Sequence, residues 1–213
     1  MMSARRWVLL SVVTAAFAPL PVWAQSEFMI RGFADAGSTT FTASDSFTAV
    51  LGSDRGPVFG GGVEVVTPQH IFVSVRASRF RRTGQRVFLF NAERFNLGVH
   101  VTVTVTPLEL SAGYRFPLGS RLVPFGGAGV GWHRYNETSR FAEPAENIDE
   151  RFQGYHVLGG IELRFTRWMA GATEAQWATV PNALGRDSNS ASHQFGESDL
   201  GGVTVRARIV IGG

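Results

Sequence analysis

The chain has no cysteine and no lysine among its 213 residues, and beyond its first 24 residues it has no apolar run long enough to cross a bilayer as a helix. Each absence narrows the reading. Without cysteine, an exported chain cannot rely on disulfides and needs another closing device, such as a barrel that leaves no free sheet edge. Without a run of about 18–20 apolar residues, transmembrane helices are excluded. All positive side-chain charge apart from histidine sits on 20 arginines, set against 17 acidic residues. Guanidinium keeps its charge and pairs as a planar fork, so it suits partly buried ion pairs better than an ammonium does. Helical periodicity is also missing, whereas period-two alternation recurs along nearly the whole chain.

What is present starts with an export signal. Arg5 and Arg6 precede an apolar stretch of 11 residues, Trp7 to Phe17; Pro19 and Pro21 follow, and Val22-Trp23-Ala24 places compact residues around a cleavage point. This is the layout of a secretory signal peptide, so residues 1–24 are expected to be removed after Ala24, with residues 25–213 forming one folded domain. Losing Arg5 and Arg6 leaves 18 arginines against 17 acids and lowers the net charge from +3 to +1. The high isoelectric point therefore gives no reason to expect nucleic-acid binding, which needs a basic patch. The 25 glycines and 12% aromatic residues fit curved strands with interfacial rings.

The alternation resolves into eight strand regions, about Phe28–Phe41, Val58–Thr67, Ile71–Arg82 (with a possible continuation through Arg86–Phe90), Val99–Phe116, Leu122–Tyr135, Tyr155–Phe165, Met169–Val180 and Leu200–Ile211. Tight turns at Thr67–His70, Pro117–Arg121 and Thr166–Trp168 alternate with long polar segments at Thr42–Pro57, within Thr83–Gly98, Asn136–Gly154 and Pro181–Asp199. The expected fold is all-β: an eight-stranded antiparallel up-and-down transmembrane β-barrel with short periplasmic turns and long extracellular loops. A further hairpin from Gln85–Phe95 would give ten strands instead. Polar strand faces rich in Gly, Ser, Glu and Arg fit a narrow lumen, and Tyr114, Phe116, Trp132, Tyr135, Tyr155, Phe165, Trp168 and Trp177 gather toward strand ends, where a membrane girdle sits. In the fourth region the apolar parity switches from Val99–Val105 to Leu108–Phe116. A bulge at Thr106-Pro107 is the expected cause, with the valine half forming a protruding hairpin with Val87–Phe90.

By parity, the interior holds Glu64, Glu109, Glu162 and Glu174 against Arg31, Arg76, Arg115, Arg164, Arg206 and Arg208, with Asp35 as a further candidate. Eight strands leave an interior just wide enough for side chains to fill it, so these residues are expected to form a structural ion-pair network rather than an open pore. His133 and His156 face the upper lumen, but without a third ligand they give no metal site. The acidic loop with Glu143, Glu146, Asp149 and Glu150 lacks an ordered ligand pattern for calcium. Ser192-His193 lie on adjacent positions and are badly placed to share a proton, so no catalytic residue is assigned. Glycine runs such as Gly60–Gly62 lie within strands and are not phosphate loops. No cofactor is expected.

The run LVPFGGAGVGWHRY at 122–135, following the turn PLGSR and the strand ELSAGYRF, resembles the outer-membrane β-barrel domain family that includes OmpA-like, OmpX-like and OmpW-like barrels. The closing segment FGESDLGGVTVRARIVIGG resembles the last strand of such a barrel, although it ends Ile211-Gly212-Gly213 where many members carry Phe or Trp. The resemblance implies an outer-membrane location, contact with outer-membrane lipid and insertion by the barrel assembly machinery. A monomer is expected. Members of the family have structural, adhesive, channel or lipid-modifying roles. A non-enzymatic structural or surface-interaction barrel with a charge-plugged lumen ranks first, ahead of a narrow channel for small or apolar solutes and a loop-borne lipid-modifying enzyme.

Overall fold

The computed structural model describes residues 28–90, 93–119, 121–139, 148–186 and 190–212; the expected signal segment lies outside them. Eight strands, β1 (Met29–Phe41), β2 (Arg55–Val66), β3 (Ile71–Phe90), β4 (Glu93–Arg115), β5 (Leu122–Ser139), β6 (Ile148–Arg164), β7 (Met169–Thr179) and β8 (Gly202–Gly212), close into one antiparallel barrel in chain order. Among the described residues, two helices lie in the connections, α1 (Ser44–Leu51) and α2 (Ala191–Gln194). The three short turns are 67–70, 116–121 and 165–168.

The register sets the barrel's proportions. Cross-strand partners run from Arg31 through Glu64, Ser74, Ser111, Gly129, His156, Ala178 and Gly202, and return to β1 at Phe41, ten residues above the start. With eight strands this stagger tilts each strand by about 40° from the axis, so each residue adds roughly 2.5 Å of height. On β6, Tyr155, Val157, Ile161 and Leu163 face outward and are exposed, and Phe165 follows directly after the strand. The ten residue steps from Tyr155 to Phe165 therefore cover roughly 25 Å, the height of a membrane barrel's apolar band. Phe59, Trp132, Tyr155 and Trp177 ring the upper edge of that band, and Phe28, Tyr114, Phe116, Phe165 and Trp168 ring the lower edge, all of them exposed.

Several sequence expectations need correction. Thr83–Gly98 is not a long loop: β3 and β4 continue as one hairpin, with Phe90 opposite Glu93. Asn136–Gly154 is shorter as a loop than expected, because Glu137 still pairs with Ile148. Above the membrane both faces of a sheet can meet water, so backbone pairing continues after the apolar alternation has stopped. Nor is there a bulge at Thr106-Pro107. The β3 register is the same below it (Ala77 opposite Leu108) and above it (Phe80 opposite Val105), and the β5 ladder runs unbroken past Pro107; the register shift lies between Gln85 and Val87. Proline lacks the N–H donor, and the β3 ladder has no paired residues beside Thr106 and Pro107 before it resumes in step.

The parity switch has a different cause. The odd-numbered face of β4 points inward from Val99 to Arg115, and only its surroundings change. Glu109, Ser111 and Arg115 line the polar lumen, whereas Val101, Val103 and Val105 are buried higher up. What covers the valines is folded loop. Phe47 and Leu51 of α1 pack in one cluster with Phe41, Phe80, Val103, Val105, Phe152, Val180, Ala183 and Leu200. The segment 42–57, expected to be a long extracellular loop, thus carries a helix whose Phe47 and Leu51 pack over the inward-facing residues at the outer end of the barrel.

Candidate functional site

Ten charged side chains are buried inside the barrel, five arginines (Arg31, Arg76, Arg115, Arg206, Arg208) and five acids (Asp35, Glu64, Glu109, Glu162, Glu174), so the formal charges of the described interior cancel. They divide into two groups. Near the periplasmic end, Arg31 and Arg115 each meet both Glu64 and Glu162: Arg31 Nη1 donates to Glu162 at 2.9 Å and Nη2 to Glu64, while Arg115 lies 3.0 Å from Glu64 and 2.5 Å from Glu162. Arg164 stands at the rim, 3.5 Å from Glu162, with its side chain 36% exposed.

The second group lies nearer the middle of the barrel. Glu174 accepts from Arg76 at 2.7 and 3.1 Å and from Arg208, and Arg206 is 3.6 Å away. Arg76 is also 3.2 Å from Asp35 and 3.8 Å from Glu109. Gln176 bridges the acids and bases, donating to Glu109 at 2.6 Å and accepting from Arg76 at 3.2 Å. Buried charges are tolerated only when paired in this way. Phenylalanine rings take up space between the groups: Arg76 and Arg208 lie 5.3 and 4.3 Å from the Phe33 ring centre, and Arg115 lies 5.5 Å from that of Phe125. Inward glycines make room for these rings. A Cβ on Gly62 would stand 2.8 Å from the Phe33 ring, and one on Gly160 would stand 2.5 Å from that of Phe125.

Beside the central charges, His156 Nε2 and Ser111 Oγ share a hydrogen bond of 2.8 Å. Sequence reading did not find this pair, because the two residues are far apart in the chain and meet only through the register of β4, β5 and β6. The contact has the form of a nucleophile with its base, but Ser111 and His156 are 4% and 3% exposed, and His156 Nδ1 has no acceptor to orient the ring. His133 is also buried, beside Gly131 and Gly154. Among the described residues no group of three potential metal ligands comes together. Glu143 and Glu146 lie outside the described residues. Asp149 pairs with Arg134, whose hydrogen bonds (2.7 and 2.5 Å) hold its carboxyl below the ordinary range, and Glu150 lies 3.7 Å from Arg186. In α2, His193 Nδ1 faces the Gly185 carbonyl at 2.9 Å.

The lid over the lumen is held by two connections acting together. Phe47 stacks on Phe41 with ring centres 4.0 Å apart, and the Phe80 edge meets Phe41 at 4.9 Å. The N-terminus of α1 has no capping side chain of its own. Glu197, from the β7–β8 connection, accepts instead from the backbone N–H groups of Asp45 (3.1 Å) and Ser46 (2.8 Å) and from the Ser46 hydroxyl (2.5 Å). A carboxylate at a helix N-terminus satisfies exposed donors and complements the helix dipole. In the same connection, Asp199 accepts from Thr179 Oγ1 (2.6 Å), Val180 N (2.6 Å) and Gly201 N (2.7 Å). The helix ends at Gly52, in the left-handed conformation with φ 75°.

Against this geometry stand the known proteins. Neisserial surface protein A (NspA) is similar in fold, with a TM-score of 0.52 at 11% identity, covering 86% of this chain and 96% of that one. The N-terminal β-barrel domain of Pseudomonas aeruginosa OprF matches with a TM-score of 0.49 at 11% identity, covering 88% of this chain and 100% of that one. No curated protein matches. The outer membrane protein beta-barrel domain matches residues 8–180. With a closed eight-stranded barrel, an outward apolar band and paired charges inside, the chain belongs to this outer-membrane β-barrel family and is located in the cell outer membrane.

Proposed function

We propose that the protein is a closed, non-enzymatic barrel with a structural or surface-interaction role, and that it does not conduct solutes. One observation carries this reading: five buried arginines and five buried acids pair across the lumen, and the apolar cluster around Phe47, Phe80 and Val180 covers them from outside. A solute would have to separate Arg31 and Arg115 from Glu64 and Glu162 and also displace α1. Separating one partner from a buried ion pair costs about 3–5 kcal/mol, so an open lumen would be rare at rest. The Ser111–His156 contact lies under the same cover and is closed to a lipid substrate. The exposed apolar band supports a barrel surrounded by lipid, which we take to be a monomer inserted by the barrel assembly machinery after removal of residues 1–24. Planar-bilayer recording tests the reading. No steady conductance is expected, and regular current steps from the folded barrel would favour the narrow channel instead.

A further inference from the structure

The arginines outside the lumen are unevenly placed. Arg55 on β2, Arg79 and Arg81 on β3, Arg134 on β5 and Arg151 on β6 are exposed, and on their strands they alternate with inward-facing, buried positions such as Gly56, Phe80 and Phe152. Their heights follow from the register. A row of partners climbs ten residues per circuit, or about 1.25 residues per strand. On that scale Arg55, Arg81, Arg134 and Arg151 lie within about 5 Å of a common level, roughly 5–10 Å above the ring of Phe59, Trp132, Tyr155 and Trp177. Arg79 lies at the ring itself, opposite Phe59. Arg134 is two positions beyond Trp132 on the same face of β5.

This arc carries excess positive charge. Arg134 and Arg151 are direct cross-strand partners, an arrangement in which like charges repel. Asp149 offsets one of them through its pair with Arg134. Arg79 and Arg81 form no ion pair among the described residues. Beyond the two ends of the arc, the matching outward positions on β1 and β7 are Thr40, which accepts from Arg55 Nε at 3.0 Å, and Thr179.

We propose that this arc of arginines binds the phosphate groups of the phosphorylated glycolipid in the outer leaflet. The apolar band below holds acyl chains, so a headgroup anchored there lies at the level of the arginines. A guanidinium can take two phosphate oxygens at once, as Arg81 and Arg151 can here, while Arg134, whose Nε and Nη2 donate to Asp149, offers its remaining N–H groups to an anion shared with Arg151. The protein would then carry glycolipid preferentially on the β2–β6 side.

Titration of the folded, detergent-solubilised barrel, followed by native mass spectrometry, tests this with three probes: diphosphorylated lipid A, enzymatically dephosphorylated lipid A and phosphatidylglycerol. Each arginine near a charged lipid surface changes affinity by about fivefold. The variant Arg81→Gln/Arg134→Gln/Arg151→Gln should therefore bind diphosphorylated lipid A at least about 50-fold more weakly, and Arg81→Gln alone about fivefold more weakly. Arg121→Gln/Arg167→Gln, which removes charge from the periplasmic turns, should stay within about twofold of the unaltered protein. Heat-modifiable gel migration confirms folding of each variant, and the single variant decides the matter if the triple variant does not fold. Equal binding of dephosphorylated lipid A, unchanged binding by Arg81→Gln, or equal affinity for phosphatidylglycerol would each overturn the proposal. None of these results depends on whether the lumen conducts.

Discussion

Glu174 is the carboxylate on which the central lumen depends most. Its side chain is fully buried and serves Arg76, Arg208 and Arg206 together. Glu174→Gln keeps the shape but leaves five buried arginines facing four buried carboxylates in the described interior. Breaking one side of a buried pair costs about 3–5 kcal/mol, chiefly because the remaining charge is left without compensation. Three arginines share this acid, so a loss toward the upper end of that range is expected. Urea unfolding of the barrel in lipid vesicles, followed by tryptophan fluorescence and gel migration, measures it. Adding Arg208→Met restores neutrality and should recover at least about half of the loss, a coupling that a double-mutant cycle reads directly. A cost below about 1 kcal/mol for Glu174→Gln, the value typical of exposed pairs, would refute the argument that these charges are desolvated and mutually dependent.

Other consequences follow from the lid. Glu197→Ala removes the external cap of α1 and should lower stability by about 0.5–2 kcal/mol while increasing protease cleavage within 42–54, measured by limited proteolysis of folded protein. Phe80→Ala removes a buried ring packed on Phe41 and Phe47 and should cost about 3–5 kcal/mol in the same urea assay. At Gly84 an added Cβ would lie 2.0 Å from the Val50 carbonyl oxygen, so Gly84→Val should displace α1 and raise proteolysis in 42–54 with the barrel's gel shift intact. Arg134→Ala, by contrast, should leave the urea midpoint unchanged, because the Arg134–Asp149 pair is exposed to solvent.

Much of the barrel was legible in the sequence because a membrane strand repeats a simple rule. Val203, Val205, Ile209 and Ile211 are exposed while Arg206 and Arg208 are buried, and one residue of slip would reverse both faces. Where that rule stops, legibility stops too. Strand pairing above the membrane needs no alternation, so a stretch within residues 83–98 reads as loop although Val87–Phe90 is expected to join a protruding hairpin. The valines of β4 read as a register switch because the sequence does not show that the contents of the barrel change from charge to hydrocarbon at Pro107. Helix α1 has only eight residues and no cap of its own, and its partner Glu197 lies 151 residues from Ser46. Individual pairings such as Arg31 with Glu162 depend on contacts across the lumen that no local pattern encodes.

The most direct test of a sealed lumen uses the absence of native cysteine. Ser78 faces inward between the central charges and the lid, is 4% exposed, and its hydroxyl makes no hydrogen bond to another described residue. Ser78→Cys therefore introduces a single thiol with little disturbance. In the folded barrel, a membrane-impermeant thiol reagent should label it at least about 100-fold more slowly than after unfolding in urea, because access requires local opening. Labelling of the folded barrel at the rate of an exposed thiol would contradict the account, because it would mean that the lumen beneath the lid is open to solvent.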